Sequence, residues 1–373
     1  MQCKKLFLSC TVIFVLFSFS LFSSVGASSV MWSQTYGGEA GEYSRSLVET
    51  ADGGYALAGW IESSLGRETD FWLVKTDSQG TMEWNQTYGG TNWEKAHCVV
   101  QTSDGGYALA GYTNSFGAGN YDFWLVKTDA EGNMQWNKTY GGPESEDAYS
   151  LIETSDGGFV LAGETASVGA ADYDFWLIKT DENGVMEWNH TYGGTDSDQA
   201  YSLVKTSDGG IVIAGYTNSF GTGNYDFWLV KTDANGNMQW IQTYGGANWD
   251  EARSVVQTND GGYALCGMTA SFGAGSNDFW LVKTDADGNM QWNQTYGGVD
   301  YEKAHSLIET SDGGYALTGE TLPVTEAVDF LLIKTDELGN IPEFPSWTVM
   351  LVMLSVLVVA VAIYKRRLRP QTN

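Results

Sequence analysis

The chain has 373 residues, 46 of them acidic against 19 basic, and a formal net charge of −27. With 43% hydrophobic and 14% aromatic residues it can bury a large core, which excludes wholesale disorder. A charge of that sign excludes nucleic acid and anionic lipid as main partners, because clustered Lys and Arg hold both.

Residues 1–27 read as a secretory signal peptide. Lys4 and Lys5 supply the positive start, Leu6 to Phe22 is apolar and uncharged, and Val25-Gly26-Ala27 offers small residues for cleavage. Signal peptidase is the partner this segment implies. From residue 28 to 340 the chain repeats itself. Thr-Tyr-Gly-Gly begins at Thr35, Thr87, Thr139, Thr191, Thr243 and Thr295, always 52 apart. Asp-Gly-Gly begins at Asp52, Asp104, Asp156, Asp208, Asp260 and Asp312 with the same period. A Trp stands three residues before each Thr-Tyr-Gly-Gly, at Trp32, Trp84, Trp136, Trp188, Trp240 and Trp292.

Each unit reads as four short strands, A to D; residues 94–141 show the pattern. An apolar run from Cys98 to Thr102 enters the turn Ser103-Asp104-Gly105-Gly106, and Tyr107 to Thr113 returns. Asp-Gly between two such runs marks a hairpin, because the turn needs positive φ. A looser loop leads to strand C, Asp122 to Thr128, and a second turn opens strand D, Met134 to Tyr140. Antiparallel four-stranded units of this length predict a β-propeller. A β-solenoid is the rival, with shorter coils and no need for two tight turns in each. The chain opens on a D strand, Trp32 to Tyr36, and ends on a C strand, Asp329 to Thr335. That offset predicts six blades, with the ring closed by the N-terminal strand pairing beside the last C strand. Such closure would remove an open sheet edge.

The run Leu125-Val126-Lys127-Thr128-Asp129, through Gly132 to Trp136, resembles the quinoprotein-like propeller repeat. The unit is also similar to the repeats built on DGGY, DFWLVKTD and TYGG in secreted bacterial and archaeal proteins of unassigned role. The resemblance spans roughly residues 32–336 and implies a propeller. Quinoprotein dehydrogenases have eight blades, a quinone and a calcium ion. Six units and no vicinal cysteine pair depart from that pattern, so no cofactor is expected.

Four acidic positions recur in every unit. The Asp of Asp-Gly-Gly, and the Asp closing strand C (Asp77, Asp129, Asp181, Asp233, Asp285, Asp336), read as turn residues that accept backbone N–H groups. Asp285-Ala286-Asp287-Gly288-Asn289 is similar to part of a calcium loop, which makes Ca²⁺ the one ion considered. A third set opens strand C: Asp70, Asp122, Asp174, Asp226, Asp278 and Asp329. The fourth, Glu42, Glu94, Glu146, Asp198, Asp250 and Glu302, lies in the D-to-A loop just before strand A. These six could ring one mouth of the central channel and contact ligand, or each could cap its own loop. Beside them the copies differ, with Trp93, Trp249 and Tyr301 where other units carry Gly41, Ser145 or Ser197. The B-to-C loops add Phe116, Phe220 and Phe272, with Tyr121, Tyr173 and Tyr225. Aromatics among carboxylates suit an extracellular glycan or protein ligand.

No catalytic residues are assigned. His97 and His305 share one position on strand A and His190 lies on strand D, with no metal-ligand spacing and no Gly-x-Ser-x-Gly or P-loop. Cys98 and Cys266 fall on opposite blades and read as free thiols. Asn85, Asn137, Asn189 and Asn293 begin Asn-x-Thr sequons on strand D and are candidates for glycosylation.

Residues 341–346, Ile-Pro-Glu-Phe-Pro-Ser, precede an apolar span at 347–364 long enough for a transmembrane helix. The tail 365–373 carries Lys365, Arg366, Arg367 and Arg369, which places it in the cytoplasm and the repeats outside. Pro342-Glu343-Phe344, the span and the basic end resemble the PEF-CTERM sorting signal of archaeal surface proteins. That resemblance implies an archaeosortase-like transpeptidase as a partner, and transfer to a lipid anchor. The two ends hold six of the 19 basic residues and none of the acids, which leaves a repeat region with 13 basic against 46 acidic groups, net −33. The sequence thus points to a binding or adhesion module on the cell surface. The alternatives are an extracellular enzyme, carbohydrate-active or quinone-linked, and a structural part of the envelope.

Overall fold

The computed structural model describes residues 32–63, 68–169, 172–322 and 328–341. The signal segment, the sorting motif residues 342–346, the apolar span and the basic tail lie outside the described residues. Within them no helix is long and apolar enough to cross a membrane.

Every regular element among the described residues is a strand. Blade 1 holds β1 (Glu42–Glu49), β2 (Tyr55–Glu62), β3 (Thr69–Thr76) and β4 (Met82–Tyr88). Blade 2 holds β5 (Glu94–Gln101), β6 (Tyr107–Thr113), β7 (Asp122–Thr128) and β8 (Met134–Tyr140). Blade 3 holds β9 (Glu146–Glu153), β10 (Phe159–Thr165), β11 (Asp174–Thr180) and β12 (Met186–Tyr192). Blade 4 holds β13 (Asp198–Lys205), β14 (Ile211–Thr217), β15 (Asp226–Thr232) and β16 (Met238–Tyr244). Blade 5 holds β17 (Asp250–Gln257), β18 (Tyr263–Thr269), β19 (Asp278–Thr284) and β20 (Met290–Tyr296). Blade 6 holds β21 (Tyr301–Glu309), β22 (Tyr315–Leu322) and β23 (Asp329–Lys334). Strands are ordered A-B-C-D within the first five sheets and A-B-C in the sixth, and each neighbour is antiparallel. One residue from the first strand of every blade (Arg45, His97, Tyr149, Tyr201, Arg253, His305) lines a single cavity of about 210 Å³. The six A strands therefore surround one axis, and the chain is an all-β, six-bladed propeller.

A backbone device brings those six residues to the axis. Strand A slips register against strand B by one residue in every blade, between Ser44 and Ser46 in the first and between Ala96 and Cys98 in the second. The skipped residue is the cavity-lining one, as expected where a bulge re-aims a side chain. Strand B answers with a glycine. A Cβ on Gly59, Gly111, Gly163, Gly215, Gly267 or Gly319 would stand 1.8–2.0 Å from a strand-A carbonyl oxygen. Only glycine permits that approach.

Consecutive blades are joined in two places. In the Asp-Phe-Trp run, neighbours point to opposite faces. Phe71 thus meets Trp124 of the next blade at 4.6 Å, and Phe123, Phe175 and Phe227 meet Trp176, Trp228 and Trp280 likewise. Farther out, each D-strand Trp lies against the turn glycine of the following blade, Trp84 on Gly132 for example. The Tyr four residues on donates its hydroxyl to that glycine's carbonyl, at 2.5–2.8 Å in all six copies (Tyr36, Tyr88, Tyr140, Tyr192, Tyr244, Tyr296). Inside each blade a strand-C lysine reaches back to the hairpin Asp, from Lys75–Asp52 to Lys334–Asp312, at 2.8–3.0 Å.

The sixth blade corrects one expectation. Its sheet has three strands, and residues 32–36 do not pair with β23. They make only the contacts of a D strand with the blade that follows. Trp32 packs on Gly80 and Tyr55, and Tyr36 bonds Gly80. The contacts with blade 1 are near in sequence, whereas pairing with β23 must close a loop of the whole ring without a hairpin. Five apolar clusters accordingly join six blades. Phe330 is 97% exposed, and blade 1 keeps a hollow of about 300 Å³ lined by Leu57, Trp72, Val74 and Tyr36.

The sequon asparagines also have a structural task. Asn85, Asn137, Asn189 and Asn293 accept the indole N–H of Trp72, Trp124, Trp176 and Trp280 at 3.1–3.2 Å. Blade 4 carries Ile241 in that place, and the buried Nε1 of Trp228 has no partner. Cys98 and Cys266 are free thiols, as expected.

Two tests follow from the packing. Gly105 and Gly132 both have positive φ, at 86° and 79°. A Cβ at Gly105 meets nothing within 4 Å, whereas one at Gly132 falls 2.6 Å from the Trp84 ring. Gly105→Ala should cost roughly 1–2 kcal/mol of conformational strain. Gly132→Ala should cost roughly 1–3 kcal/mol more by overpacking, measured by denaturant unfolding. Ile241→Asn should stabilise by about 1 kcal/mol by supplying the Trp228 acceptor, seen as a raised midpoint in the same assay.

Candidate functional site

The D-to-A and B-to-C loops share one face of the propeller. Asn114 donates its N–H to the Trp93 carbonyl at 2.9 Å, and Ala270 to that of Trp249 at 2.8 Å. Neighbouring blades join in too, since Glu146 donates its N–H to the Tyr121 carbonyl at 2.8 Å. The loop residues singled out in the sequence are thus brought together around one mouth.

The D-to-A loop acids do not present themselves to that mouth. Glu94, Glu146, Asp198, Asp250 and Glu302 are buried, and Glu42 is half-buried. Glu94 accepts from the Gly90 and Ser115 N–H groups and the Thr113 hydroxyl at 2.8–3.0 Å. Glu146 repeats this with Gly142, Ser167 and Thr165. Asp198, Asp250 and Glu302 hold their own loops the same way, and Glu42 accepts from the Gly38 N–H. Burial in a loop whose N–H groups need acceptors makes these carboxylates braces, not ligand contacts. All but Glu42 also face the Asp opening strand C of the preceding blade across the first glycine of Thr-Tyr-Gly-Gly, as Asp122 and Glu146 do at Gly141.

The aromatics are where the sequence places them. Trp93 is 48% exposed and Trp249 43%, the latter against Tyr225 at 5.0 Å. Tyr301 is half-buried, its hydroxyl toward the Met268 sulfur. Phe116, Phe220 and Phe272 lean on Trp124, Trp228 and Trp280 yet remain exposed.

The axial residues were not read from the sequence as a set. Their signal was present: the third residue after each loop acid runs Arg, His, Tyr, Tyr, Arg, His between near-invariant neighbours. The residues around them are equally unlike from blade to blade. Arg253 stacks over Tyr201 at 3.7 Å and pairs with buried Glu251, which also lies 3.2 Å from Lys303. His305 is 3.5 Å from Glu320. Arg45 and Lys95 both lie over the Trp60 ring, at 5.3 and 4.8 Å.

Blade 3 is the exception. His97 lies 3.3 Å from Asp147, and the Tyr149 hydroxyl donates to Glu164 at 3.3 Å. No Lys or Arg pairs with either acid among the described residues, and Asp147 Oδ1 and Glu164 Oε2 are buried without hydrogen-bond partners. Both line a pocket of about 240 Å³ with Tyr112, Tyr121 and Tyr173. Burial, then the charge of Asp147, pushes the Glu164 carboxyl up to about 8. Such perturbed groups mark candidate sites. Asp285 spends its carboxylate on the Asp287 and Asn289 N–H groups and the Asn289 side chain. Among the described residues no group of three His, Cys, Asp or Glu is placed to hold a metal.

No family model matches the chain. The Regulatory protein FlaEY of Caulobacter vibrioides is 29% identical over 154 residues, which span 38% of this chain and 16% of that protein. Among solved structures, Sqt1 from Chaetomium thermophilum superposes with a TM-score of 0.47 at 11% identity, over 80% of this chain and 70% of that one. The Neurospora crassa Pan2 WD40 domain gives 0.45 at 13%, over 74% and 85%. A glucose dehydrogenase gives 0.43 at 10%, over 74% and 93%.

The carboxyls set the pH response. Burial, with Asp250 adding to it against the opposing Thr222 N–H, pushes Asp226 up to about 6. An acid raised on folding favours the native state below its unfolded value and loses that contribution as pH rises through its folded value. Hydrogen bonds from Thr206 and Gly210, with Lys231 beside them, hold Asp208 at about 2 and act only under stronger acid. The raised carboxyls of Asp226 and Glu164 should therefore contribute a fall in stability as pH rises from about 4 through 8, opposed by His305, which burial holds below its ordinary value so that it favours the native state as pH rises. Glu164→Gln should flatten the upper part of that fall and be the more stable protein at pH above about 8, by thermal unfolding across pH.

Proposed function

We propose that the chain is a binding module displayed on a cell surface, which takes an extracellular polymer or protein on its loop face. One observation carries the reading. The blades are near-copies, yet they differ where the loops meet, and there they expose Trp93, Trp249, Phe116, Phe220 and Phe272. Exposed aromatics on a rigid rim supply contact area at low entropic cost. The acidic repeat region favours a neutral or cationic ligand surface.

The route to the surface is part of the same proposal. Residues 1–27 direct export, and the motif at Pro342-Glu343-Phe344 with the span 347–364 and the tail directs anchoring by an archaeosortase-like transpeptidase.

A screen of the purified repeat region against glycans, surface proteins, Ca²⁺ and quinone tests the function. Specific binding without turnover is expected, and Trp93→Ala with Trp249→Ala should weaken it about tenfold or more without changing the melting temperature. Turnover abolished by a substitution in one blade would point to an enzyme instead. Intact mass of the native protein should show loss of residues 347–373.

A further inference from the structure

We propose that the pocket between blades 2 and 3 binds an alkylammonium group, with Asp147 and Glu164 as its anionic partners and Tyr112, Tyr121 and Tyr173 as its aromatic wall. The site goes beyond the loop-face reading and does not need it, because a free small amine is enough to test it.

The repeat supplies its own control. Glu251 of blade 5 occupies the unit position of Asp147, Arg253 that of Tyr149, and Lys303 that of Gln199. In blade 5 the buried carboxylate is neutralised from within, by Arg253 and by Lys303 at 3.2 Å. In blade 3 both supplying positions hold uncharged side chains, while the acids have doubled to two. Glu164 is 7% exposed and its Oε2 has no partner. A buried carboxyl oxygen without a donor is costly, and a donor from outside relieves it. A protonated amine offers N–H groups to Glu164 Oε2 and Asp147 Oδ1 together, and its charge is favoured beside tyrosine faces.

The pocket's size limits the occupant. At about 240 Å³ it is below the range of roughly 300–1,000 Å³ usual for drug-sized ligands, so it takes a short amine or the tip of a lysine side chain. An inorganic cation is less suited: Glu146 also lines the pocket but spends its oxygens on Gly142, Thr165 and Ser167, and no group of three His, Cys, Asp or Glu is placed to hold a metal among the described residues. The raised Glu164 carboxyl agrees with an acid held beside Asp147 without its counter-ion.

Isothermal titration of the repeat region at pH 9, where Glu164 is ionised and the amine is still protonated, with n-butylammonium chloride against sodium chloride at equal ionic strength, tests the proposal. Saturable one-site binding is expected. Glu164→Gln should weaken it about tenfold or more. The double variant Tyr149→Arg with Gln199→Lys transplants the blade-5 arrangement, and should fold with an unchanged melting temperature and bind no amine. An N-acetyl-lysine-amide arm separates the two sources. Tighter binding than butylammonium assigns the site to a protein side chain, weaker binding to a free amine. Absence of saturable binding, full binding by the double variant, or equal competition by calcium chloride would overturn the proposal.

Discussion

The contact on which the ring depends is a tryptophan lying on a glycine. Blades 1 to 5 each end in a strand whose Trp covers the next turn glycine around the ring, and whose Tyr hydroxyl bonds that glycine's carbonyl; Trp32 and Tyr36 do the same on blade 1. The glycine serves twice. It supplies a positive φ, and it leaves room for the indole where a Cβ would collide. One residue thus turns the chain within a blade and seats the blade before it. Repeated at a constant spacing, this sets the offset from blade to blade, and the Phe–Trp pairs nearer the axis fill the wedge that the offset leaves.

The same economy governs the interior. The strand-A bulge and the strand-B glycine opposite it are backbone features, present in all six blades whatever side chain occupies the bulge. The scaffold can therefore place Arg45, His97, Tyr149, Tyr201, Arg253 and His305 at one level around the axis without altering its own packing. Chemistry varies where geometry is constant. The charges near the axis show the result, with Glu251 matched by Arg253 and Lys303 while Asp147 and Glu164 are left with a histidine and a tyrosine.

Much of the acidity is spent on structure. The hairpin Asp residues hold strand-C lysines, the strand-C closing Asp residues accept turn N–H groups, and the loop acids brace the mouth. Their recurrence reflects one folding task copied six times, because a turn rich in N–H groups needs an anionic acceptor wherever it is copied. Acids at unrepeated positions, such as Glu164 and Asp147, have no such task. Asp147 Oδ1 and Glu164 Oε2 are left unpartnered side by side in one pocket, whereas the other unpartnered acid oxygens, on Asp70, Asp226 and Glu251, lie in separate blades.

The sequence by itself determined the blade count, the four-strand unit, the hairpin turns and the aromatic packing positions, since all of these are local and recur at a fixed spacing. It also marked the exposed loop aromatics, because Trp93 and Trp249 interrupt small residues at their unit position. It could not separate a loop acid that faces solvent from one that caps its own loop, since both have the same spacing. Only the tertiary structure decided that Glu94 and its counterparts are buried braces. It also decided that the residue three places on is delivered to the axis by a bulge, and that residues 32–36 engage blade 1 without pairing to β23. Each of these depends on contacts between segments far apart in the chain, and a period of 52 residues records none of them.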